Sequence, residues 1–231
     1  METLEARKNG TRVKPSKPSR LPAEDVAPVV VKKMTAPKGK AASTVITIPG
    51  PKTETLLLKL VGTSPLIVHR WSEKAIGMIN DKKQGKARGK REAHVPADEY
   101  ESSMYRMSKG KYGFPVIAFK CAAVDACSYI EGVTKVLVRG AIRVLPEEGD
   151  LVQIHGEPRM REDMVRVGMG QADSRYRAEF REWYVNLPVE YLANVISRDN
   201  VANLFQYAGL CVGVGEWRKQ CNGEMGCFRV G

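Results

Sequence analysis

The stretch from Ser197 to Gly231 constrains the fold most, because helix, glycine-rich loop and closing strand follow one another with little room for alternatives. Ser197 to Tyr207 (SRDNVANLFQY) reads as an amphipathic helix. Ser197 is a natural N-cap, Asp199 sits in the positive first turn, and Val201, Leu204, Phe205 and Ala208 share one apolar face. Gly209 is expected to stop it. LCVGVGEWR follows, with Gly213 and Gly215 two apart, so that one face of a strand or loop carries no side chains and invites close approach by a ligand or another chain. Trp217, Arg218 and Lys219 stand beside it, Asn222-Gly223 is a two-residue turn signal, and MGCFRV is expected to return as the closing strand of a hairpin. A flat aromatic and two cations next to exposed amides suit a sugar-phosphate backbone. The alternative is that the glycines merely allow a bulge and Trp217 belongs to the core.

Charge is unevenly spread. The 231-residue chain carries a net +11, of which residues 1–52 hold 11 Lys+Arg against 4 Asp+Glu and residues 73–91 hold 7 against 2. Positive charge confined to a tail and one internal loop is the pattern of a protein that touches a polyanion through arms as well as a folded surface, with a solvated basic tail that only aids solubility as the alternative. Five Cys, at 121, 127, 211, 221 and 227, with no preceding signal-peptide pattern, predict a reducing bacterial cytoplasm. Cys221 and Cys227 flank the Asn222-Gly223 turn, but the three His (69, 94 and 155) stand near no CxxC, so a zinc site is not expected. No run reaches the roughly eighteen apolar residues that a membrane span needs.

Along the chain, residues 1–53 are Pro-, Lys- and Ser-rich without sustained period and read as a disordered basic arm, in which VAPVVV and TVITIP could each add a strand to a sheet edge. Residues 54–231 read as one domain. LLLKLVGTSPLIVHRW is a buried strand, a break at Gly62 to Pro65, and a continuation ending in His69, Arg70 and Trp71. Residues 72–113 form a long polar excursion: a helix at SEKAIGMIN, the basic run with Lys82, Lys83, Lys86, Arg88, Lys90 and Arg91, an acidic helical piece, and the turn SKGKYG. VIAFKCAAVDACSYIEG is a helix whose small residues permit tight packing on a sheet, ended by Gly132. TKVLVRGAIRVLP and LVQIHGEPRMRED carry strand patterns. RYRAEFREWYVNLPVEY alternates Tyr176, Ala178, Phe180, then shifts phase to Trp183, Val185, Leu187, which signals a bulge or a strand changing partners. Between them, Arg159, Arg161, Arg166, Arg175 and Arg177 mark a protruding hairpin or loop.

This order is the βαββαβ of a ferredoxin-like α+β domain with insertions. TLLLKLVGTSPLIVHRW, GFPVIAFKCAAVDACS and GLCVGVGEWR with GEMGCFRV resemble the RAMP superfamily, and most of all the backbone subunits of CRISPR effector complexes; the combination also resembles uncharacterised small proteins of tailed bacteriophages. The resemblance implies an RRM-like palm with a finger at 72–113 and a thumb hairpin at 146–175, and copies that assemble as a filament along single-stranded RNA.

Catalysis is not expected. Some RAMP proteins process RNA with a histidine near the place of His69, but no Ser, Cys or carboxylate shows a usable spacing beside it. Asp163 and Asp173 read as solvated loop acids, and no GxxxxGK[ST] is present. The expectation is therefore a non-enzymatic, sequence-tolerant single-strand binder without cofactor. Its phosphate contacts come from the finger run, the thumb arginines and residues 217–219, and its π faces from Trp71, Trp217 and Tyr112. His69 and Arg70 are expected beside them in the site, His69 stacking or hydrogen-bonding with a nucleotide or else simply ending the strand. Its partners are single-stranded RNA or DNA, further copies of itself, and other subunits of a nucleoprotein complex. A phage structural or assembly protein with a DNA-contacting arm is the second reading, and an RNA-processing endonuclease the third.

Overall fold

The computed structural model describes residues 48–71, 73–85, 95–167 and 170–231. The predicted arm up to residue 47 and the basic positions Lys86, Arg88, Lys90 and Arg91 lie outside them. In chain order the elements are β1 (Thr53–Gly62), β2 (Leu66–Val68), α1 (Glu73–Lys83), α2 (Pro96–Ser102), β3 (Tyr105–Arg106), β4 (Tyr112–Pro115) and α3 (Val116–Ala126). Then follow α4 (Lys135–Ala141), β5 (Ile142–Val144), β6 (Leu151–Ile154), β7 (Pro158–Val167), β8 (Gln171–Phe180), β9 (Tyr184–Leu192), α5 (Arg198–Tyr207) and β10 (Phe228–Val230).

β1 shows why a sheet with one covered face forms. Its period-two pattern sends Leu56, Leu58 and Leu60 inward and leaves Thr55, Leu57 and Lys59 on the other side. β1 pairs antiparallel with β9 over nine residues and with β10 over three, and β5 joins the far side of β9, giving the order β10-β1-β9-β5. α3 and α5 pack on the inward face through Phe119, Ala122 and Ala123 of one and Val201, Leu204 and Phe205 of the other. The alanines let the helices sit close, and Phe119 meets Phe228 edge-on at 6.0 Å. The fold is α+β with antiparallel sheets.

Two smaller sheets stand beside the first, β3-β4-β6 and β2-β8-β7. The phase shift after Phe180 has a plain meaning here. β8 pairs with β7 and β2, the chain turns through Arg181 and Glu182, and β9 enters the four-stranded sheet. Trp183 begins the new register, buried, with its indole N–H donating to the Ser64 carbonyl at 2.9 Å.

Several expectations are corrected. TKVLVRGA is helix, not strand: the Thr134 hydroxyl caps the Leu137 amide at 3.2 Å, and Val138 and Ala141, one turn apart, go inward, which outweighs the β preference of the Val-Leu-Val run. Gly209 does not end the second helix. The helix widens into a π turn over Ala208–Val212 and stops at Gly213, while Gly209 lies against the Phe228 carbonyl, where a side chain would not fit. No hairpin forms at Asn222-Gly223; Asn222 instead closes a short 3-10 turn over Lys219–Cys221 with φ of 60°. The hairpin expected from the arginine-rich stretch is present as β7–β8, whose register runs from Pro158 opposite Phe180 to Val167 opposite Gln171, while β6 pairs with β4. Among the described residues no helix is long and apolar enough to cross a membrane.

Candidate nucleic-acid interface

The end of β2 and the glycine loop after α5 are far apart in sequence and meet in space. Glu216 donates its amide to the Ile67 carbonyl at 3.0 Å, and Gly226 donates to Pro65 at 2.7 Å, so the loop is laced onto β2 through backbone. Gly215, at φ of 79°, is what permits this: a Cβ there would lie 2.6 Å from the Ile67 oxygen. The bare face predicted for Gly213 and Gly215 is thus filled by the chain's own backbone, Ile67 for one and the Met225 and Gly226 carbonyls for the other.

The lacing brings His69 beside Glu216, Nδ1 to Oε1 at 3.7 Å. The His69 ring is the chief influence holding the Glu216 carboxyl below its ordinary value, opposed by burial and helped by Arg177 and Arg218. Glu216 is the carboxylate that sequence spacing did not reveal, because it arrives from the other end of the domain. The residues on either side project outward: Trp71 is 59% and Trp217 45% exposed. Trp217 is therefore not core. It is also held at φ of 55°, a conformation that bulky side chains rarely adopt. Arg218 is spent within the loop, donating to the Gly215 carbonyl at 3.1 Å and to Gln220 at 3.1 Å, and Lys219 lies 3.8 Å from Glu224. Arg70 anchors the end of β2 by its amide, which donates to the Ser103 carbonyl at 2.8 Å.

The arginines of the β7–β8 hairpin do not form a free cationic row. Arg161 contacts both Asp163 and Glu179 at 2.8 Å, Arg175 contacts Asp173 at 3.2 Å, and Arg177 lies 3.6 Å from Asp163. Asp163 and Arg177 are each only 8% exposed at the side chain. Asp163 is thus a buried ion-pair partner and not a solvated loop acid, and Asp173 is likewise engaged. The physical reason is register: Arg161 faces Arg177 and Asp163 faces Arg175 across the ladder, so alternating charges on one face neutralise one another. Arg159 and Arg166 remain exposed, on opposite faces of the hairpin. Lys82 and Lys83 end α1. Tyr112 is no open platform, since Phe180 meets it edge-on at 5.6 Å and Arg106 lies 4.7 Å over its ring.

Comparison with known proteins adds little. No protein-family model matches the chain. No curated protein matches it either. Twenty-one chains of solved structures match. Among them is the crystal structure of Cmr6 from Pyrococcus furiosus, aligned over 78% of this chain and 99% of that one at 10% identity and a TM-score of 0.41. That likeness is too loose to carry a function across.

Sequence reasoning missed one further cluster. His155 and Tyr184 stack with ring centres 4.3 Å apart and planes within 3°, and the Lys59 ammonium lies 5.0 Å from the Tyr184 ring centre. Its only sequence signal was the alternation of β1 and β9, which puts Lys59 and Tyr184 on the side away from the helices.

Proposed function

We propose that this chain binds single-stranded nucleic acid with little sequence preference, as a RAMP-type protein with a ferredoxin-like core, and that copies line up along the strand. The order β10-β1-β9-β5, with both long helices on one face, supports the ferredoxin-like reading. In this reading the polar insertion after β2 acts as the finger and the β7–β8 hairpin as the thumb.

The observation that carries the proposal is the His69–Glu216 contact, which joins two segments that each present an exposed tryptophan. Stacking faces for bases, backed by rigid backbone lacing, are what a sequence-tolerant single-strand site requires. A backbone outlier at Trp217, maintained by the hydrogen bonds around it, fits a residue kept for contact and not for stability. In this reading His69 and Glu216 hold the two segments in register, and the chain binds without cutting.

Fluorescence anisotropy with labelled single-stranded RNA and DNA tests it. Trp71→Ala and Trp217→Ala should each weaken binding by about 1–3 kcal/mol. Analytical ultracentrifugation should show several copies per strand, increasing with strand length. Absence of binding to either nucleic acid at low salt removes the proposal, and shortened strand on gels would replace it with a nuclease.

A further inference from the structure

We propose that the cleft between the β1–β2 turn and the β6–β7 turn is a nucleotide pocket, holding an aromatic base and its phosphate at a place separate from the Trp71 and Trp217 segments. The cleft has a volume of about 540 Å³ and is open to solvent. Its aromatic wall is fixed by backbone. His155 and Tyr184 exchange amide-to-carbonyl hydrogen bonds at 2.9 and 3.0 Å, which aligns their rings into one parallel slab. Two cations flank it: Lys59, over the Tyr184 ring, and Arg181, exposed at the rim with its Nε donating to Glu179 at 3.1 Å.

A stacked imidazole and phenol offer a flat surface that any planar base matches, and Lys59 beside it supplies a positive charge for the phosphate. Arg181 at the rim is shared with Glu179, and Glu182 in the lining stands on the opposing side of the charge balance. Lys59 is free to leave the Tyr184 face on its flexible stem and follow the anion, which uncovers the ring as the ligand arrives. The same chemistry serves a free mononucleotide or one unit of a strand, so the ligand class is a nucleoside phosphate in either form.

The test titrates the full chain with 5′-AMP, adenosine and inorganic phosphate by calorimetry, and with a labelled oligoadenylate by anisotropy, for the parent, Lys59→Gln and Tyr184→Leu. Each substitution should weaken AMP or the oligonucleotide about tenfold. AMP binding, with adenosine and phosphate far weaker, identifies a free-nucleotide site; loss confined to the oligonucleotide identifies a unit of a strand. Lys59→Gln removes only a surface ammonium, so it decides the matter should Tyr184→Leu melt early. Parent-like binding of every probe by Lys59→Gln and by folded Tyr184→Leu overturns the pocket. So does failure of the parent to bind AMP and the oligonucleotide alike. A Trp217 variant that loses the oligonucleotide while these two retain it leaves the interface standing without the pocket.

Discussion

At the scale of single residues, two neighbours in one loop have opposite tolerances. Gly215 has the Ile67 carbonyl where a side chain would go and a positive φ besides. Gly215→Val should therefore cost stability, at least about 1–3 kcal/mol from backbone strain alone, read as a lowered urea midpoint. Trp217 holds a positive φ with a large side chain pointing to solvent. Trp217→Gly should relieve that strain and leave the urea midpoint level or higher, while affinity for a single strand falls by about 1–3 kcal/mol. Loss of stability without loss of affinity would return Trp217 to a structural role. The sequence placed these residues together but could not say which face each would use. Two glycines two apart are equally compatible with an open track and with a seam against β2, and the choice rests on Ile67, whose position no local pattern records.

At the scale of elements, the β7–β8 hairpin buries charge beside the apolar Ala178 and Phe180. Asp163 and Arg177 lie inside it, and one oxygen of the former and the Nε of the latter have no hydrogen-bond partner among the described residues. Removing one member should hurt more than removing both. Asp163→Ala should lose about 3–5 kcal/mol of stability, whereas adding Arg177→Leu should recover part of it in a double-mutant thermal cycle. Acid should act on the same element. Burial raises the Glu179 carboxyl, but Arg161 and Arg181 together pull it below its ordinary value of 4.5. A carboxyl lowered on folding contributes stability above its unfolded value and loses it as pH falls through its folded value. Melting midpoints should thus hold near neutrality and drop below about pH 4.5, and Glu179→Gln should flatten that acid limb. Periodicity made most elements legible: β1, α3, α5 and the change of sheet after Phe180 all follow from alternation or helical spacing. α4 did not, because its β-prone residues are overruled by a threonine cap and two inward contacts that only the packed core defines. The hairpin's ion pairs were equally hidden, since they depend on a register that composition does not contain.

For the whole molecule, net charge and its placement set the behaviour toward polyanions. With +11 overall, single-strand affinity should fall steeply between about 50 and 200 mM salt, and a flat response would mean that phosphates are not the main contact. The sheet also imposes an order of events. β1 stands in the middle of β10-β1-β9-β5, yet it is translated before both of the strands that flank it. Its backbone edges have no lasting β-partner until residues 184–192 and then 228–230 have been made, and its apolar face is not fully covered until α5 follows β9. Such distant pairings are slow to close, in the millisecond-to-second range, and leave a sticky edge exposed meanwhile. Folding during synthesis is thus a matter of waiting: Leu56, Leu58 and Leu60 emerge early and must be kept from wrong partners until nearly all of the domain has left the ribosome.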